Sequence, residues 1–158
     1  MKGTRKALII VGIVSIFAWT MWAAPAAAES AARIDTVSKS NFGKTVKQLE
    51  TAIKGRGMMV VATVDHQNML RMVGANVKGS KTLEFGKPDM MKMVIPSTPE
   101  AGLEMPMKIY VYEQADGKTL VSYVKPSAGF AAYGKADLNM VGQMMDNMLG
   151  EIVAEATR

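Results

Sequence analysis

Apolar side chains recur at Phe42, Val46, Leu49 and Ile53, offsets of 0, 4, 7 and 11. That spacing follows the helical turn and predicts a helix with one buried face, leaving Lys44, Lys47, Gln48 and Lys54 in water. Ser40 is placed to cap its start, and Gly55 and Gly57 to end it. The pattern then changes. Met58–Asp65 (MMVVATVD) is short, β-branched and apolar on both faces, which predicts a central strand with Met58 and Met59 in the core. Asp65 caps a short helix from Gln67 to Val73, and Thr82–Phe85 is a further strand. Pro88 opens a helical turn that carries Met90, Met91 and Met93 and stops before Pro96. Residues 97–104 read as a loop.

Lys108–Glu113 and Thr119–Val124 flank Asp116-Gly117, the strongest hairpin signal in the chain. Alternation sets Ile109, Val111 and Glu113 on one face, Tyr110 and Tyr112 on the other. Ser127–Lys135 is rich in Gly and Ala and reads as a loop. Asp137 then caps a long helix whose stripe is Leu138, Val141, Met145, Met148 and Ile152. The fold class is α+β: an antiparallel sheet with helices packed on one face.

The first 28 residues are of a different kind. Lys2, Arg5 and Lys6 precede an apolar run from Ala7 to Ala24, and Ala26, Ala27 and Ala28 offer a cleavage site. This is the signature of a secretory signal peptide, so the expected organisation is signal 1–28, tether 29–37 and one domain over 38–158. The expected location is the periplasm or the exterior, with no stable membrane span after cleavage; an uncleaved anchor is the alternative.

Removing 28 of the 158 residues leaves 130, enough for a single core. Three of the 19 basic residues leave with the signal, so 16 basic face 14 acidic residues. A chain so nearly balanced lacks the clustered basic face of a nucleic-acid binder. The absence of cysteine excludes disulfides, thiolate metal sites and cysteine nucleophiles. Phosphate loops, nucleophile elbows and metalloprotease helices are missing from the sequence. Glu104 and Glu113 form a formal acid–base pair, but each sits at a turn or hairpin where a solvated carboxylate is expected.

Histidine and methionine carry the remaining chemistry. The one histidine, His66, follows a strand end at a helix start, where a neutral imidazole can take a proton or a metal. Thirteen of the 15 methionines lie beyond residue 28. Thioethers are soft ligands that select copper(I) and keep their donor character in acid. Setting aside the core candidates leaves His66, Met69, Met72, Met90, Met91, Met93, Met105 and Met107 as metal-ligand candidates. The competing reading is packing, because methionine adapts to irregular gaps. A haem held by His66 and one methionine is a further reading, without a Cys-x-x-Cys-His for covalent attachment.

The order of several pieces resembles the bacterial domain of unknown function 302 family. Those pieces are Gly57, Asp65-His66, Phe85-Gly86-Lys87-Pro88, Met105-Pro106-Met107, and Tyr112-Glu113 with Asp116-Gly117, spread across Ser38–Ala156. The resemblance implies an α+β fold of TATA-binding-protein-like architecture and often a homodimer; it implies no reaction. Asn76-Val77-Lys78-Gly79 and Asp89-Met90-Met91-Lys92-Met93 depart from the family pattern, the second by adding sulfur. The functional expectation is an exported, non-catalytic binding module, with copper(I) as the ligand its donors would select. A structural or partner-binding homodimer with an apolar Met-rich groove is the alternative, and a haem or small-ligand binder the third.

Overall fold

The computed structural model describes residues 32–158. The signal-peptide assignment and the start of the tether lie outside the described residues. Five antiparallel strands form one sheet in the order β1-β5-β4-β3-β2. They are β1 (Arg33–Ser38), β2 (Met59–Asp65), β3 (Ser80–Gly86), β4 (Met107–Glu113) and β5 (Thr119–Val124). The helices are α1 (Phe42–Gly55), α2 (His66–Met72), α3 (Pro88–Val94), α4 (Pro126–Ala131) and α5 (Ala136–Ala156), with a 3-10 turn over Pro99–Glu104. No helix among the described residues is long and apolar enough to cross a membrane.

The core lies between one sheet face and the long helices. Leu49 and Ile53 of α1 and Met145, Leu149 and Ile152 of α5 are buried against Leu83, Phe85, Ile109, Val111 and Val121. These strand residues alternate with polar or aromatic neighbours, so the opposite face of the sheet carries Tyr110, Tyr112, Thr82 and Ser122 instead. The α+β arrangement, the hairpin and the spans of α1 and α5 match the sequence reading, but α5 starts from Lys135 without a side-chain cap and holds Asp137 inside its first turn.

Other elements differ from it. Residues 33–37, expected in the tether, open the fold as β1, paired with β5 from Arg33↔Val124 to Ser38↔Thr119. Its inward positions are Ile34, Thr36 and Ser38, so only one carries a large apolar side chain. The strand 59–65 is an edge rather than a centre: β2 pairs with β3 alone, through an irregularity between Val60 and Ala62. Met59 accordingly stands 54% exposed, while Met58 is buried. The segment after Lys125 is helical: α4 has Pro126 in its first turn, and Asp146 of α5 accepts from the Ser127 N–H at 3.0 Å. Asn41 caps α1 in place of Ser40, accepting from the Lys44 N–H at 3.0 Å. The stripe of α5 passes through Leu149, with Met148 at its half-buried margin.

Two close approaches fix the helices. A Cβ at Gly142 would lie 2.7 Å from Ser127 Cα, so α4 crosses α5 at near-backbone contact. At Gly79 a Cβ would lie 2.6 Å from the Phe42 ring, which rests against that backbone.

The hydroxyl of Thr119 is buried with no hydrogen-bond partner among the described residues. Such a group retains its desolvation penalty without return. Thr119→Val, equal in shape, is expected to stabilise the domain by about 1 kcal/mol. Thermal unfolding should show a midpoint raised by a few degrees; an unchanged or lowered midpoint would mean that the hydroxyl is satisfied in solution.

Candidate functional site

The central ladder stops early. β4 and β5 pair over Tyr110↔Ser122, Val111↔Val121, Tyr112↔Leu120 and Glu113↔Thr119, and no further. Continued by the same register, Lys108 would face Val124 and Pro106 would face Pro126. Neither proline has an N–H to donate, so the ladder has no bond to form at that step. Each strand keeps its other neighbour: β4 follows β3 down to Met107↔Phe85, and β5 follows β1 to Val124↔Arg33. The sheet therefore divides into two wings at this end.

Main-chain groups line the gap. The Lys125 N–H bonds to the Ala32 carbonyl and the Glu113 N–H to that of Gly79, each on the far side of its strand. Alternation along the strands then turns the N–H and C=O of Val124 and Lys108 towards the opening between the wings.

A cavity of about 530 Å³ occupies this opening. That volume falls within the range of small-molecule sites. Its apolar wall comes from Leu103, Pro106, Met107, Tyr123, Val124 and Leu149. The open sheet face adds Tyr110 and Tyr112, stacked with centroids 5.1 Å apart and planes at 19°. Arg33, Lys108, Lys125 and Glu104 contribute the charges. The 3-10 turn delivers Leu103 and Glu104, and a cis peptide bond joins Met105 to Pro106.

Polar side chains run across the open face in register, Thr82, Tyr110, Ser122 and Asp35 lying side by side on β3, β4, β5 and β1. The Ser122 hydroxyl donates to Asp35 at 2.5 Å, and the Arg33 guanidinium donates to the same oxygen at 2.9 Å. The Ser122 bond, followed by Arg33, holds the Asp35 carboxyl below its usual range. On the other wall Glu104 accepts from the Tyr133 hydroxyl at 3.3 Å. Its carboxylate fills the space over α4 where Gly129 has no side chain: a Cβ there would fall on Glu104 Oε2. Burial first, then the charge of Glu104, pushes the Tyr133 phenol up. Glu104 was expected in solvent, and the structure makes it half-buried cavity wall.

The predicted metal donors fall into separate settings. His66 lies behind the cavity wall: its Nε2 is 2.8 Å from Thr82 Oγ1 and its ring meets Tyr110 edge-on at 5.7 Å. Met69 and Met72 follow it along α2, a helix without a buried residue, and both are exposed. Met90 and Met107 are buried in the core, the latter on the helix-covered face opposite Tyr110. Met105 packs against that core, Met91 approaches Gly86, and Met93 is exposed. The structure thus brings His66, Met69 and Met72 onto one short helix and separates them from Met90 and Met107. Among the described residues no group of three or more His, Asp or Glu side chains could hold a metal. The cavity itself escaped the sequence reading, although the two prolines and the hairpin register carry its signal.

A family model described as "Domain of unknown function DUF302" matches residues 34–156. The chain is also similar to a solved structure, the crystal structure of uncharacterized conserved protein DUF302 from Bacillus stearothermophilus. That similarity has a TM-score of 0.74 at 19% identity and covers 80% of this chain and 98% of the other. At that identity the likeness establishes the fold. No curated protein matches the sequence.

The depressed Asp35 pKa sets a pH dependence. Its contribution to stability is complete above the ordinary carboxylate value of 3.8 and is lost as pH falls through the lowered folded value. Asp35→Asn removes it, so the melting-point gap between wild type and variant should narrow steadily from pH 5 to pH 2. A gap that stays constant over that range would show that Asp35 gains nothing from Ser122 and Arg33.

Proposed function

This chain belongs to the DUF302 family, and we propose that it works as a non-catalytic binding module whose ligand enters the opening between β4 and β5. One observation carries the reading: the sheet divides at a fixed register, and the gap is filled by a drug-sized, mainly apolar cavity with convergent polar groups at its mouth. The stacked tyrosines offer a flat apolar surface, and the main chain of Lys108 and Val124 offers hydrogen bonds to orient a guest. Export through a cleaved leader and self-association belong to the same reading. They are checked by the N-terminal mass of the chain recovered from the periplasm and by sedimentation.

The probe for the cavity is the neutral dye N-phenyl-1-naphthylamine. Val124 lines the opening and is exposed, so Val124→Trp narrows the cavity without disturbing the core. The expected result is a dye affinity at least about tenfold weaker at an unchanged melting point, the loss of roughly 1.4 kcal/mol of contact. Equal affinity in the two proteins would remove the cavity as the binding site.

A second reading rests on the succession of His66, Met69 and Met72 at three-residue spacing along the exposed helix α2. Residues three apart on a helix are neighbours, so the imidazole and one thioether can meet on a soft ion. Titration with copper(I) against a competing chelator tests this reading. His66→Ala and Met69→Leu should each weaken binding about tenfold or more, whereas unchanged affinity in both leaves the methionines to packing.

A further inference from the structure

We infer that the ligand of this cavity is an amphiphilic anion: an apolar body bearing a carboxylate, sulfonate or similar group. The inference rests on the binding reading above and adds the charge of the guest. Among the lining residues three cations face one carboxylate. That carboxylate, Glu104, already accepts from Tyr133 and rests against Gly129. Arg33 is committed to Asp35. Lys108 is only loosely matched, 3.9 Å from Glu84, and Lys125 has no acidic partner among the described residues.

These two lysines flank the division of the sheet. Lys108 stands on β4 beside the gap, and Lys125 follows Val124 at the end of β5. Between them Lys108 and Val124, the first positions beyond the end of the ladder whose main chain faces across it, direct N–H groups into the opening. N–H donors and ammonium groups at one mouth suit an anionic head. The wall behind them, from Leu103 and Pro106 to Leu149, is apolar and suits a hydrocarbon or aromatic body. A cationic guest would meet this pair of ammonium groups, and a purely apolar guest would leave the main-chain donors unpaired.

The test uses two dyes on one skeleton, neutral N-phenyl-1-naphthylamine and its sulfonate, 8-anilinonaphthalene-1-sulfonate. Each is titrated into the intact domain and into the double variant Lys108→Gln/Lys125→Gln. Two partly exposed charge pairs predict that the variant binds the sulfonate about tenfold more weakly and the neutral dye unchanged. Salt at 0.5 M should erode the sulfonate affinity of the wild type towards that of the variant. Sulfonate binding that ignores both substitutions overturns the anion assignment while leaving the cavity in place. Equal losses for the two dyes overturn it as well, because the lysines would then act through packing. Failure of both dyes to respond to Val124→Trp removes the cavity, and the anion assignment with it.

Discussion

An antiparallel ladder continues only while each successive pair has an N–H to give and a carbonyl to receive it. In this chain the β4–β5 ladder ends at Tyr110↔Ser122, and further along the same register Pro106 would face Pro126, where no N–H exists to resume it. The rest of the architecture accommodates the failure. β1 holds β5 on one side and β3 holds β4 on the other, so neither strand loses its place when the central bonds run out. The core beneath, built from α1, α5 and the inward strand residues, keeps the two wings in one body. An interruption that would weaken a two-stranded hairpin is tolerated in a five-stranded sheet.

The open face of the sheet responds to the same constraint. A face without covering helices needs polar or aromatic side chains that satisfy one another. Here Ser122 bonds Asp35, Ser80 meets the Tyr110 hydroxyl at 2.8 Å, and Thr82 meets His66. Tyr110 lies at the centre, with Tyr112 stacked against it and His66 at its edge. The side chains around the opening are therefore held by one another, and such preorganisation would lower the ordering cost of the proposed binding. His66 belongs to this framework through Thr82 and Tyr110, and any chemistry at its other nitrogen would be coupled to the tyrosine surface.

The legible parts of the fold were those with a strong period. Helix α1 and the long helix α5 present apolar stripes, and the hairpin advertises itself through alternation around Asp116-Gly117. β1 was hidden because Thr36 and Ser38 take inward positions that usually hold apolar residues, and Ser38 instead bonds Thr45 at 2.7 Å. β2 looked central because Met59 and Val61 are apolar, yet both are about half exposed on an edge strand with an irregular register. The methionine spacings carry no information on the side of the sheet, and the topology sets Met107 on the helix-covered face while His66 meets Thr82 and Tyr110 on the other. The cavity needs three facts together: the hairpin register, the two prolines, and the outer strands that hold the wings apart. Only the first two can be written down from the sequence.

The contact between Gly142 and Ser127 has a bearing on the cavity that neither residue touches. α4 supplies Gly129 and Pro126 to the chamber, and its height over α5 is set by the absent methyl at position 142. A single added carbon would lift that helix away, carrying Gly129 and the seat of Glu104 with it. The width of the chamber is thus tuned from the rear. A side chain at position 142 would therefore alter the chamber without replacing any residue that lines it.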